Sequence, residues 1–254
     1  MPARSFPHYR GKWQHPSVVA AREFVRRYHP SIEAPPRCVL VWNHGLVDAL
    51  ARRFRARPLG GMRDTFVLPA RPSALGISFP RGVGAPATIN RCEELVALGT
   101  RELVGVGYAG ALSPDLQPGD LVVCDGAIRD EGTSHHYAHP DVRAAPSPTL
   151  SRWLRRTLRE AGLSFRVGEN WTTDAPYRET RAELRHYRSR GVLTVDMEAS
   201  AIYIFGRARR VRTASVFIIS DLLTEKKWDP HFHRFGGRLE EVGSAVLRAW
   251  TKVP

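Results

Sequence analysis

The stretch that most constrains the fold is 191–221, a largely apolar run in which two carboxylates, Glu198 and Asp221, stand out as candidates. Glu198 follows the strand-like run 192–195 and opens a helix-like run, and Asp221 closes a second strand-like run, 214–219. Both acids are therefore predicted at the ends of buried strands, where open α/β sheets bind their ligands. A buried carboxylate costs several kcal/mol unless it is paired or used. Both acids are thus candidate functional residues.

The composition is that of one folded domain. A chain of 254 residues can bury a full core. No apolar run approaches the ~20 residues that span a bilayer, and residues 1–16 lack the apolar core of a signal peptide. Cys38, Cys92 and Cys124 are too few and too widely spaced for a disulfide framework or a zinc pattern. We therefore expect a cytoplasmic protein with reduced thiols, no metal and no membrane partner.

The net charge is strongly positive, with 38 Lys and Arg against 25 Asp and Glu. This charge suits anionic small substrates or nucleic acid. The arginines are scattered along the chain and form no single tract, which favours an Arg-rich solvated surface and argues against a nucleic-acid partner.

Predicted strands and helices alternate along most of the chain. Residues 1–36 are polar and proline-bearing and are predicted to form an N-terminal extension with one helix, 15–28; the domain follows at 37–254. The predicted strands are 38–42, 65–68, 76–79, 103–106, 121–124 and 165–168, and the predicted helices are 46–54, 87–98, 149–162, 181–190 and 240–252. Strands 65–68 and 76–79 form a predicted hairpin with 71–74 in or near its turn. This alternation predicts a three-layer α/β/α sandwich with a mixed, largely parallel central sheet.

Several motifs follow one another in a fixed order. They are the glycine-rich turn Arg81-Gly-Val-Gly-Ala-Pro86, the run Gly105-Val-Gly-Tyr-Ala-Gly110, IRDEGTSHHY at 128–137, TTDAPYRET at 172–180 and VDMEASA at 195–201. In this order and spacing they resemble the nucleoside phosphorylase-I superfamily, notably uridine phosphorylases and their relatives. The resemblance covers about 38–221.

The resemblance implies a phosphorylase/hydrolase-like fold and an enzyme that cleaves the N-glycosidic bond of a nucleoside with phosphate or water. It implies a homo-oligomer (dimer, trimer or hexamer) and no cofactor, with phosphate as the candidate co-substrate. Met197 and Glu198 match the pair that contacts ribose, where a carboxylate stabilises the cationic sugar. Asp221 matches the general acid of purine-specific members, which protonates the leaving base. Uridine phosphorylases carry Arg at that position, so a purine-type base is favoured.

Each acid also has a purely structural interpretation. Glu198 could be a carboxylate that the N-terminal dipole of a helix favours, and Asp221 could cap the segment that follows it. The resemblance places further residues around the base and sugar: Gly107, Tyr108, Gly110, Arg129, His136, Thr173, Asp174 and Arg178. For the polar members of this set, a hydrogen bond that stabilises a loop is an equal alternative. Asp174, for example, could cap the turn at Ala175-Pro176.

The phosphate-binding positions depart from the family pattern. In resembling phosphorylases two arginines hold phosphate through charge-assisted bonds. Here the early turn, Trp42-Asn-His-Gly-Leu-Val47, has no arginine, and Gly105 stands at the position of the second arginine. The remaining phosphate candidates are Gly84, Arg81 and Arg63, the last of which matches an arginine that a neighbouring subunit contributes. Tyr108 is large enough to fill the phosphate space, which favours water, whereas the resemblance favours phosphate. The same losses also suit a non-catalytic nucleoside-binding protein, although the retained Glu198 argues for an enzyme.

Overall fold

The structure, a computed structural model, describes residue 9 and residues 11–70 and 73–252. Part of the predicted N-terminal extension, residues 71–72 of the predicted hairpin turn and the last two residues of the predicted domain lie outside the described residues. Within the described ranges no helix combines the length and the apolar character that crossing a membrane requires.

Ten strands in the described part of the chain form one mixed sheet. They are β1 Arg37–Val41, β2 Arg57–Leu59, β3 Met62–Leu68, β4 Leu75–Ser78, β5 Glu102–Ala111, β6 Leu121–Asp130, β7 Arg166–Thr173, β8 Thr194–Asp196, β9 Arg212–Leu223 and β10 Trp228–Pro230. Their order is β10-β9-β6-β7-β8-β5-β1-β4-β3-β2, and β9 also pairs with β5. The second pairing of β9 closes β5, β9, β6, β7 and β8 into a ring.

The mixed character of the sheet is confirmed, and the hairpin of β3 and β4 is antiparallel as predicted. Parallel and antiparallel pairings are equally represented among the described strands, so the sheet is less parallel than the alternating pattern suggested. The short strands β2 and β10 were not predicted, because neither has an apolar run of its own.

Helices cover both faces of the sheet. They are α1 Ala21–Tyr28, α2 His44–Arg53, α3 Ala85–Ala97, α4 Pro148–Glu160, α5 Arg181–Ser189, α6 Ala199–Arg209 and α7 Gly236–Trp250. Helices α1, α3 and α6 bury apolar side chains such as Ile89 and Phe205 in one core. Helices α2, α4 and α7 bury Leu50, Leu154 and Val242 in the core on the opposite face. The three-layer prediction is confirmed.

Four strands extend beyond their predicted ends, and this changes where the motifs lie. β5 continues through Gly107 and Gly110, which the sequence analysis placed after the strand, because its pairing with β9 runs on to Ala111. β6 reaches Asp130 and β7 reaches Thr173, because they pair with each other along that length. β9 likewise passes through Asp221, so this acid does not close its strand.

The described residues of the predicted N-terminal extension pack on the rest of the chain. The predicted helix 15–28 is shorter, because α1 starts at Ala21 and a separate 3-10 turn occupies Lys12–Gln14. Val25 of α1 is buried in the core that α3 lines. Lys12 and Trp13 contact the polar loop after β6, through His136 and His139 respectively.

Candidate functional site

The two acids are brought together by the middle of the sheet. Gly110 of β5 pairs with Val195 of β8 on one side and with Asp221 of β9 on the other. Neighbouring strands lie about 4.8 Å apart, so the backbones of β8 and β9 are about 10 Å apart at this level. Glu198 lies two residues after the end of β8 and is the N-cap of α6. The prediction that both acids lie at one edge of the sheet is therefore consistent with the topology.

Glu198 is 5% exposed and is held by backbone N–H groups. Gly84 donates its amide to Oε1 at 2.5 Å, and the amide of Met197 lies 3.3 Å from Oε2. Gly84 has a φ of 93° and ends the glycine-rich turn at the start of α3, a conformation that other residues rarely adopt. The Met197 side chain lies beside Gly84, with its Cε 3.7 Å from where a Cβ of residue 84 would be. The turn therefore positions the Met-Glu pair.

Asp196 was not predicted as a site residue, although it lies only two positions before Glu198. Its Oδ2 accepts the amide of Ala199 at 2.7 Å, and its Oδ1 accepts the Thr172 hydroxyl at 2.7 Å. Asp196 thus satisfies the N-terminal end of α6, while the Glu198 side chain makes no capping bond. The Glu198 side chain therefore does not cap α6 by a hydrogen bond, although it lies at the N-termini of both α6 and α3.

The electrostatics of this pair oppose ionisation. Burial is the largest cause that raises the pKa of Glu198, and the charge of Asp196 raises it further. Burial also raises the pKa of Asp196, although its hydrogen bonds to Thr172 and to the amide of Ala199 act in the opposite direction. Within the described residues no lysine or arginine forms an ion pair with Glu198. A cation placed beside Glu198 would therefore favour the ionised carboxylate, whose charge no positive side chain of the described residues neutralises.

Asp221 is 6% exposed and is held by two side-chain donors. The Ser220 hydroxyl donates to Oδ1 at 2.6 Å, and the indole N–H of Trp228 donates to Oδ2 at 2.8 Å. The register of β5 and β9 shifts just before Gly110, and a Cβ on Gly110 would lie 3.0 Å from Oδ2 of Asp221. The glycine makes room for the carboxylate. The capping role considered for Asp221 does not match these partners, and no sequence signal pointed to Trp228.

Most of the polar substrate-binding candidates on the two loops are engaged within the protein. All three guanidinium nitrogens of Arg129 donate to the loop 134–142, four of the five bonds to backbone carbonyls. Asp174 accepts the amide of Gly132 at 2.7 Å, and Thr173, not Asp174, caps the turn by accepting the amide of Ala175. Nδ1 of His136 lies 2.9 Å from Lys12. Arg178 is exposed.

Trp42, and not Tyr108 as expected, packs over Gly105 and Gly107, where the resemblance would place phosphate. The Trp42 indole stacks on Phe217, donates to Thr88 Oγ1 at 2.8 Å and covers Gly105 and Gly107. A Cβ on Gly107 would lie 2.6 Å from the Trp42 ring. Tyr108 is the next residue along β5, so its side chain points to the opposite face of the sheet, where it packs in the other core.

Of the two arginines proposed for phosphate, one pairs with a carboxylate of the protein and the other is exposed. Arg81 donates to Asp64 at 2.5 Å, and Arg63 is exposed on β3. The buried Arg91 of α3, which was not predicted as a site residue, pairs with Glu94 at 2.9 Å. These contacts engage Arg81 and Arg91 within the protein itself.

Known proteins share this fold. The structure is similar to that of purine nucleoside phosphorylase from Toxoplasma gondii in complex with immucillin-H, with a TM-score of 0.76, 19% identity and coverage of 87% and 93% of the two chains. It is also similar to AMP nucleosidase from Bacteroides thetaiotaomicron, with a TM-score of 0.72, 21% identity and coverage of 92% and 99%. At these identities the likeness shows the fold.

The sequence itself carries the family assignment. The chain is 32% identical over 149 residues to the uridine phosphorylase of Treponema pallidum, an alignment that covers 54% of this chain and 58% of that protein. The chain thus spans less than two thirds of the length of this relative. The model of the phosphorylase superfamily matches residues 77–251, which is more than half of the chain. The chain therefore belongs to the phosphorylase superfamily.

Proposed function

We propose that the protein cleaves the N-glycosidic bond of a purine-type nucleoside, with Glu198 at the ribose and Asp221 at the leaving base. The observation that carries this proposal is the placement of two carboxylates, 5% and 6% exposed: Asp221 pairs with Gly110 on β9, and Glu198 is the N-cap of α6, just after the strand that pairs with Gly110 on its other side. Structural needs do not account for Glu198, because Asp196 already caps α6. Burial of a carboxylate without a cationic partner is costly, and the positive charge that develops on the sugar in the transition state offsets that cost.

Glu198 has the geometry of a preorganised acceptor. The amides of Gly84 and Met197 fix its orientation before substrate arrives. Ribose hydroxyls donate to its free lone pairs, and its charge stabilises the positive sugar that develops as the bond to the base stretches. The benefit is greatest in the transition state, because the nucleoside itself carries no positive charge on its sugar.

Asp221 completes the reaction at the other end of the bond. The electron pair of the breaking C1′–N bond moves to the base, and a proton from the Asp221 carboxyl neutralises the base nitrogen that receives charge. The Ser220 and Trp228 donors then stabilise the carboxylate that remains. This role favours purines, since a purine leaves readily once it is protonated.

The packing of Trp42 supports water as the nucleophile. The indole covers Gly105 and Gly107, which removes the space that the resemblance assigns to phosphate. The Nε of Arg81 donates to Asp64, which reduces the positive charge that Arg81 offers a dianion. Water adds its oxygen to C1′ and loses a proton to bulk solvent, from which the Asp221 carboxylate is reprotonated, so the products are free ribose and free base.

A nucleoside panel tests the proposal. The protein is incubated with purine and pyrimidine nucleosides, with and without inorganic phosphate, and the base and sugar products are separated by chromatography. We expect purine base and free ribose at a rate that phosphate leaves unchanged. Ribose 1-phosphate would overturn the choice of water. Thermal stabilisation by a nucleoside without turnover would instead establish a non-catalytic binding protein.

Two variants assign the residues. Glu198→Gln and Asp221→Asn should each remove base release, whereas Asp141→Asn should not, because the Asp141 side chain is 91% exposed. Unchanged base release in both site variants would show that the assigned site is wrong.

We also propose a homo-oligomer. Val18 and Val19 are 98% and 81% exposed, next to α1, and Arg63 matches a residue that resembling proteins contribute to a neighbouring subunit. Burial of apolar side chains between copies would remove them from water. Light scattering after size-exclusion chromatography gives the mass in solution, and a monomeric mass at micromolar concentration would reject an oligomer.

A further inference from the structure

We propose that Trp228 is a positioning residue for the leaving-group acid: its indole N–H holds Asp221 so that the acid's proton is directed to the base. This inference rests on the proposed function and deepens it. Trp228 lies in the segment 224–235, which includes β10 and follows β9. Its side chain is 58% exposed, which is unusual for so large an aromatic residue beside a buried acid.

The segment is anchored so that Trp228 reaches Asp221 from the neighbouring strand. β10 pairs antiparallel with β9, with Trp228 opposite Leu223 and Pro230 opposite Asp221. The amide of His231 then donates to the carbonyl of Ser220 at 2.8 Å. These bonds fix the backbone on both sides of Trp228, and the indole nitrogen lies 2.8 Å from Oδ2 of Asp221.

Two further aromatic rings support the indole. The rings of Trp228 and Phe232 lie 6.2 Å apart with an angle of 58°. The rings of Phe232 and Tyr108 lie 6.0 Å apart at 82°, an edge-to-face contact. Tyr108 therefore forms the base of a stack that ends at Asp221.

The chemistry of the indole explains why a tryptophan suits this position. An indole N–H is a donor only. It cannot accept the proton of the Asp221 carboxyl, so that proton remains available to the base. After transfer, the same N–H stabilises the carboxylate. Together with the Ser220 hydroxyl on Oδ1, it also restricts rotation of the carboxyl group.

Two substrates separate this role from a general structural one. A purine nucleoside needs a proton on its leaving base, whereas 4-nitrophenyl β-ribofuranoside releases a stable phenolate without one. Trp228→Phe keeps a ring against Phe232 and removes the N–H. We expect kcat/KM for the purine nucleoside to fall by ~10-fold or more, the value of a hydrogen bond to a charged group, and kcat/KM for the nitrophenyl riboside to stay within about twofold.

Controls make each outcome decisive. Trp153 lies on α4 and stacks on Trp250 of α7. Trp153→Phe controls for the loss of a tryptophan and should leave kcat/KM for both substrates unchanged. Asp221→Asn should reproduce the substrate-selective loss. Equal losses on both substrates in Trp228→Phe, or no loss on either, would overturn the inference while the proposed function stands. Absence of base release by the unchanged protein would overturn the proposed function itself, and this inference with it.

Discussion

The backbone N–H of Gly84 donates to Oε1 of Glu198 across 114 positions of sequence. This contact joins the glycine-rich turn before α3 to the start of α6. In the described structure the amide of Gly84, a phosphate candidate in the sequence, is engaged by a protein carboxylate. The turn therefore acts on the sugar side of the proposed site.

Glu198→Gln should lower kcat/KM for a purine nucleoside by ~10²–10³-fold, the usual effect of removing one preorganised electrostatic contact. The amide retains the size of the side chain and can still accept from Gly84, so the loss reflects charge. Steady-state kinetics measures it. Glu160→Gln is the matched control, because the Glu160 side chain is 68% exposed. An effect below about threefold would remove Glu198 from the reaction.

The pH dependence of stability follows from the same residue. The pKa of Glu198 is raised from 4.5 to about 8, first by burial and next by the charge of Asp196. The folded state therefore binds this proton more tightly than the unfolded state. The contribution to stability is complete below pH 4.5 and is lost as the pH rises through about 8. The Tm of Glu198→Gln, measured relative to that of the unchanged protein, should accordingly increase as the pH rises. Parallel plots of Tm against pH for the two proteins would contradict the raised pKa of Glu198.

The activity should show the opposite trend with pH. Only the ionised Glu198 stabilises a cationic sugar, so kcat/KM should rise with pH until this carboxyl ionises. A pH–rate profile with a slow-reacting nucleoside measures this ascending limb, the pH range over which kcat/KM rises. Glu179, on the loop before α5, has its pKa raised to about 7 by burial and by the charge of Asp221, so Glu179→Gln tests whether the limb belongs to Glu198. A limb that disappears in Glu179→Gln would reassign it.

The layers of the fold were readable from the sequence because periodicity and glycine positions are local signals. The sequence also predicted both acids at one edge of the sheet; the structure places Val195 of β8 and Asp221 of β9 on either side of Gly110, whereas the shared role of the two acids stays a prediction. The roles of Arg129 and Trp42 did not follow. Their partners are fixed by which face of a strand each residue occupies and by loop contacts that no local pattern encodes. The extension of β5 through Gly110 was missed because glycine has low strand propensity, which the pairing with β9 overrides.

Arg129 gives a prediction that separates loop support from substrate binding. Arg129→Ala should lower the free energy of unfolding by ~2–3 kcal/mol, because it leaves carbonyls of the loop 134–142 without a donor. Arg129→Lys should recover little of this, since one ammonium cannot replace the guanidinium. Urea unfolding measures both, with Arg143→Ala as control because its side chain is 69% exposed. If Arg129→Ala had a normal stability and a raised KM, Arg129 would instead be assigned to substrate binding.

The corner at Trp42 gives the sharpest steric prediction. A Cβ on Gly105 would lie 2.7 Å from the Trp42 ring and 3.0 Å from Ser215 Oγ. Gly105→Ala should therefore lower the free energy of unfolding by about 1–3 kcal/mol. Gly236→Ala, where a Cβ would meet open space, should change it little. Urea unfolding curves measure both.

A double-mutant cycle shows whether the indole is the obstacle. Trp42→Phe shortens the side chain on the side that faces Gly105, so Gly105→Ala should be less harmful in that background by ~1 kcal/mol. Additive effects would mean that Trp42 does not occupy the space above β5. In that case the corner would be open to a dianion, and the argument for water as the nucleophile would lose its steric basis. Coupling of the expected sign would instead show that the corner is closed by packing, because the same indole that excludes a methyl group at residue 105 excludes a phosphate.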